Sequence, residues 1–142
     1  MITMQEAKCN CSCGSDCSDD SCVTNNAESG VYACTGASNV GIISLELAKA
    51  LHLKDRYKMG CATCVAVGDC GCGSKEEEEQ PKDLLIDGCK VGCLKKIFDK
   101  QGKTHYNHVI VTQLGVKKEG TFDFGEEQIN LLLEKIKDRG LL

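Results

Sequence analysis

Twelve cysteines in 142 residues constrain this chain more than any other feature. Thiols at that density either pair as disulfides in an oxidising compartment or, in a reducing one, bind metal or carry redox chemistry. Residues 1–22 contain no apolar run behind a basic start, so no secretory signal is expected. Nowhere do apolar residues reach the roughly 18 in succession that a membrane span requires. A cytoplasmic protein is therefore expected, with its thiols reduced and available to a metal. The net charge of −4 supplies no positive field of the kind that draws a protein to phosphate backbones or anionic lipid. Neither nucleic acid nor membrane is an expected partner.

From Cys9 to Glu28 the chain is small and polar, with Cys9, Cys11, Cys13, Cys17 and Cys22 set among Ser, Asp, Asn and Gly. It lacks the apolar residues to bury a core. Residues 1–30 read as a cysteine-rich flexible tail and a candidate accessory metal site, and residues 31–142 as one α/β domain. In that domain Val31-Tyr32-Ala33-Cys34, Leu84-Leu85-Ile86 and Val109-Ile110-Val111 read as buried strands, and Lys58-Met59-Gly60-Cys61 as a weaker one. Continuous rather than alternating apolar runs mark parallel strands covered on both faces. Helices are predicted from Ser38 or Asn39 to near Leu53, on the stripe Ile43, Leu47, Ala50 and Leu51; from near Cys89 to Gly102, on Val91, Leu94, Ile97 and Phe98; and over Ile129, Leu132, Leu133 and Ile136. Residues 61–73 read as a glycine- and cysteine-rich loop, and Glu76 to Glu79 as a solvated like-charge run. The expected fold is a small open, mainly parallel sheet of about four strands flanked by helices, with Rossmann-like layering.

Loops leaving the carboxyl ends of parallel strands open on one edge of the sheet. Cys34, Cys61 and Cys89 each follow an apolar run, so three loops are expected to carry thiols to that edge. Cys93 follows Cys89 at the spacing of one helical turn. Four sulfurs suit tetrahedral zinc and, equally, an iron–sulfur cluster. Four thiolates on a divalent ion leave a net charge of about −2, for which helix N-termini near Ser38 and Cys89 and the side chains of Lys90, Lys95 and Lys96 are the expected compensation. Taken alone, Cys34 also reads as a small buried hydrophobe at a strand end. Asp87 is expected to cap the following helix or to accept from loop amides. His52, His105 and His108 have no partner at ligand spacing and are expected in surface or core roles.

Tyr32-Ala33-Cys34-Thr35-Gly36-Ala37-Ser38-Asn39-Val40-Gly41, Met59-Gly60-Cys61 and Ile86-Asp87-Gly88-Cys89-Lys90-Val91-Gly92-Cys93-Leu94-Lys95-Lys96 together resemble the DGC-domain family, over roughly residues 31–138. That family is named for its Asp-Gly-Cys tripeptide. The resemblance implies a metal-binding α/β domain whose four characteristic cysteines, matching Cys34, Cys61, Cys89 and Cys93, take zinc. This chain departs from the pattern after Cys61, where Cys64, Cys70 and Cys72 replace a glycine-rich loop, and in its cysteine-rich tail. Cys61-x-x-Cys64, Cys70-x-Cys72 and the tail cysteines are candidate ligands for a second or competing site. Flexible C-x-C segments bind soft metals such as zinc or copper(I) as the chain wraps around the ion.

Three functions compete. The favoured one is a metal-binding protein that senses, stores or delivers metal, with zinc ahead of an iron–sulfur cluster and a partner protein for metal or electron transfer. The second is a thiol-dependent redox or transfer enzyme with Cys34 as nucleophile, and the third an iron–sulfur electron carrier. A Cys-x5-Arg phosphate loop fails, because Val40 stands where the guanidinium is needed. Gly36-x4-Gly41 is not G-x-G-x-x-G, which argues against a dinucleotide site.

Overall fold

The computed structural model describes residues 29–68 and 81–142. In chain order these form strand β1 (Gly30–Ala33), helix α1 (Asn39–Leu53), strand β2 (Lys58–Met59), helix α2 (Ala62–Val67), strand β3 (Asp83–Asp87), helix α3 (Cys93–Lys100), strand β4 (Tyr106–Ile110), a 3-10 turn (Val111–Leu114) and helix α4 (Glu126–Asp138). The expected α/β fold is the one observed: four strands, all parallel, in the order β2-β1-β3-β4. Val31 pairs with Met59 on one side and Leu84 on the other, and Ile86 pairs with Val109. From β1 the chain steps outward to β2, then crosses back past β1 to β3 and β4. Strand order thus reverses between β1 and β3, the point where an open parallel sheet has its crevice outside the carboxyl ends.

Both faces of the central strands are covered, which is why β1 and β3 carry continuous apolar runs. Val31, Ala33, Leu84, Ile86 and Val109 point to one side, where they meet Ile43, Leu47 and Leu51 of α1 and Ile129, Leu132, Leu133 and Ile136 of α4. Tyr32 and Leu85 point to the other, against Val65 of α2 and Leu94 and Phe98 of α3. The ring of Phe98 meets Tyr32 edge-on at 4.8 Å between centroids, a geometry that aligns ring edge with ring face. Ser38 caps α1 as expected, its Oγ accepting from the Gly41 amide. Among the described residues no helix is long and apolar enough to cross a membrane.

Three local expectations are corrected. Residues 62–67, read as loop, form α2, because Cys61 caps it and Val65 finds an apolar seat beside Leu94 and Phe98. The helix expected to begin near Cys89 begins at Cys93 instead. Gly92, at φ 64°, occupies the left-handed region that glycine enters without a Cβ penalty, and so breaks the helical path between the two cysteines. Val91 is consequently 50% exposed rather than part of the apolar stripe. The fourth strand begins three residues earlier than the apolar run suggested and ends one residue earlier, and Val111 is buried in the 3-10 turn that follows.

Candidate thiol site

At the strand reversal the backbone of three segments packs without intervening side chains. A Cβ added to Gly88 would lie 2.9 Å from the carbonyl carbon of Val40, and one added to Gly41 would overlap the backbone of Gly36. The glycine of the Asp-Gly-Cys tripeptide therefore lets the loop after β3 rest directly on the first turn of α1. That approach carries the Gly88 amide to the first thiol: Gly88 N–H donates to Cys34 Sγ at 3.1 Å. Ser44 Oγ lies 3.5 Å from the same sulfur. Its one hydroxyl hydrogen is taken by the Gly41 carbonyl at 2.6 Å, so in the contact with sulfur the thiol donates and the hydroxyl accepts. Thr35, the next residue, has φ 47°, an uncommon and strained conformation for a β-branched side chain.

The other thiols sit on neighbouring loops of the same edge. Cys61 lies two residues beyond β2 and accepts from the Cys64 amide at 3.4 Å as the cap of α2. Cys89 lies two residues beyond β3, in a turn closed by the Gly92 amide on its carbonyl at 3.1 Å. Cys93 opens α3 and is exposed. Cys34, Cys61, Cys89 and Cys93 are free thiols. Parallel neighbours are about 4.8 Å apart, so β1, flanked by β2 and β3, places Cys34 between the Cys61 and Cys89 loops.

Asp87 fixes the geometry of the third loop. Its carboxylate is buried and accepts from the amides of Leu94 at 3.0 Å and Lys95 at 3.1 Å. Gly92 offers α3 no side-chain cap, so Asp87 satisfies two orphan donors of that first turn from outside the helix. The capping role expected of it is realised in this form. His108 Nε2 completes the set at 2.7 Å from Oδ2, a partnership between β3 and β4 that no local spacing signals. Of the other histidines, His52 accepts from the Met59 amide through Nδ1 at 3.2 Å and ties α1 to β2, and His105 stands just before β4.

The cations are not placed as expected. Lys95 Nζ donates to Asp99 at 2.7 Å, and its hydrogen bonds to Asp99 and Tyr106 hold its ammonium pKa above the ordinary value. Lys90 and Lys96 are exposed. The ammonium that meets a cysteine comes from a distant loop: Lys118 Nζ donates to Cys89 Sγ at 3.6 Å.

The donors fit a soft metal in type and in placement by strand, being thiols on adjacent loops of one edge. They are not gathered into a shell: among the described residues no group of three or more His, Cys, Asp or Glu side chains is close enough to hold an ion. Cys9, Cys11, Cys13, Cys17, Cys22, Cys70 and Cys72, the Glu76 to Glu79 run and the accessory site expected on the tail lie outside the described residues.

The DGC domain family matches residues 30–136. The chain is similar to the anaerobic and virulence modulator AnvM of Pseudomonas aeruginosa, with 30% identity over 90 residues, 62% of this chain and 66% of that protein. The match thus spans just under two thirds of the relative's length. No solved structure matches the chain at a significant level.

Proposed function

This chain belongs to the DGC-domain family, and we propose from that premise that it binds a soft metal ion through Cys34, Cys61, Cys89 and Cys93, with zinc the preferred ion and an iron–sulfur cluster the alternative. One observation carries the reading: three neighbouring parallel strands deliver free thiols to one edge of the sheet, at the point where strand order reverses. Bound zinc would supply a tetrahedral thiolate centre that ties the loops together. The chain's own contribution lies in how it holds the donors. Gly88 and Gly41 permit the β3 loop to touch α1, and Asp87 fixes the turn between Cys89 and Cys93. Metal binding here serves sensing, storage or delivery in the cytoplasm, through a partner protein that receives the ion. The cysteine-rich tail with Cys64, Cys70 and Cys72 is an accessory set of ligands.

The test is metal content after anaerobic purification, by elemental analysis with a visible spectrum, for the full chain and its Cys89→Ser and Cys93→Ser variants. Bound zinc or a coloured cluster, sharply reduced in both variants, is the expected result. Unchanged metal in both overturns the assignment.

The Gly88 amide donating to Cys34 Sγ favours a second reading, a thiol nucleophile stabilised by a backbone donor. Its signature is a Cys34-linked adduct with an electrophilic substrate, formed at the same rate in metal-free protein.

A further inference from the structure

The contact between Lys118 and Cys89 is built from the backbone outward. Asn39, buried as the first residue of α1, grips the chain on both sides of Lys118. Its Nδ2 donates to the Lys117 carbonyl at 2.8 Å, and its Oδ1 accepts from the Glu119 amide at 2.7 Å. Its own amide, one of the orphan donors at a helix start, donates to the Glu119 carbonyl at 3.1 Å. Three hydrogen bonds across about 80 positions of sequence thus fix the backbone at Lys117 and Glu119. The side chain between them reaches Cys89 Sγ at 3.6 Å. The loop over residues 115–125 is in this way drawn across the carboxyl edge and brings a cation to a sulfur that the motif cations Lys90, Lys95 and Lys96 do not supply.

We propose that Lys118 is the counter-cation of the Cys89 sulfur, balancing its negative charge when it stands as a thiolate or as a metal ligand, and that Asn39 is the positioning residue that holds it there. The proposal rests on Cys89 belonging to the working thiol set described above. It gives the site a preference: a small anionic reagent approaching Cys89 is favoured over its neutral counterpart.

Alkylation of the reduced full-length chain tests this through charge alone. Iodoacetate and iodoacetamide attack the same sulfur and differ in one negative charge, so the ratio of their rates at Cys89, read on its peptide by mass spectrometry, reports the local field. Lys118→Met lowers that ratio about two- to fivefold at low ionic strength, the size expected of one exposed charge pair, and the difference fades in concentrated salt. Lys118→Arg keeps the ratio near that of the unaltered chain. Asn39→Ala lowers it, because the loop is no longer gripped, while Lys96→Met leaves it unchanged. An equal ratio in Lys118→Met and the unaltered chain overturns the proposal. Cadmium titration, followed by thiolate-to-metal absorbance, separates this from the parent reading. A weaker titration in Lys118→Met supports both. If the unaltered chain takes no cadmium, the metal reading falls and the alkylation ratio still decides Lys118.

Discussion

Among the described residues, seventeen buried ones, aliphatic throughout, form the layer between the sheet and helices α1 and α4, whereas five, two of them aromatic, fill the layer under α2 and α3. The larger layer is uniform and closed. The smaller one borders a buried carboxylate, a histidine and the loops that carry thiols. The contrast teaches that stability is concentrated on one side of the sheet. That leaves the carboxyl edge free to hold features that cost stability: a strained Thr35, backbone packed against backbone at Gly88, and a polar Asp87 side chain buried away from water.

Substitutions can break that contrast or sharpen it. The largest loss is expected in the closed layer. Leu132→Ala, at a side chain with almost no solvent exposure, removes about 2–5 kcal/mol by lost burial and the cavity left behind, measured by urea unfolding of the reduced chain. Next comes Asp87→Ala, which leaves the Leu94 and Lys95 amides and His108 without their acceptor and costs about 3 kcal/mol. If it cost as little as a surface change, the edge would not depend on this carboxylate. Gly88→Ala forces a Cβ toward the carbonyl of Val40 and costs about 1–3 kcal/mol. The same variant raises Cys34 alkylation relative to Cys93, since it lifts the Gly88 amide off the sulfur.

Two smaller effects are informative by their sign. Thr35→Gly relieves a left-handed backbone and is expected to stabilise by about 0.5–1 kcal/mol. A loss instead would show the Thr35 side chain to be needed at the edge. The smallest effect concerns Asp83, which receives the Gly30 amide at 2.7 Å. Burial raises its carboxyl pKa above the ordinary 3.8, against the lowering by that amide and by the charges of Lys103 and His105. The folded chain therefore keeps this proton at pH values where the unfolded chain has released it. The contribution of Asp83 to stability is greatest in acid and falls as pH rises from the ordinary value through the raised one. Asp83→Asn removes that slope, and denaturation midpoints compared across the same window will show it.

The sequence by itself determined the architecture. Continuous apolar runs at residues 31–34, 84–86 and 109–111 require cover on both faces, and the stripes of α1 and α4 supply half of it. Which loops carry Cys34, Cys61 and Cys89 followed from the same runs, because chain direction in a parallel sheet sends every strand's exit to one edge. Tertiary structure alone decided what each thiol meets. No local pattern relates Asp87 to His108, Cys34 to the Gly88 amide, or Cys89 to Lys118, since these pairs are 21 to 54 positions apart and meet only once strand order and backbone contact are set. The break between Cys89 and Cys93 was hidden for the same reason. Helical spacing is a property of sequence, but Gly92 in the left-handed region and a cap supplied by Asp87 are properties of the folded turn.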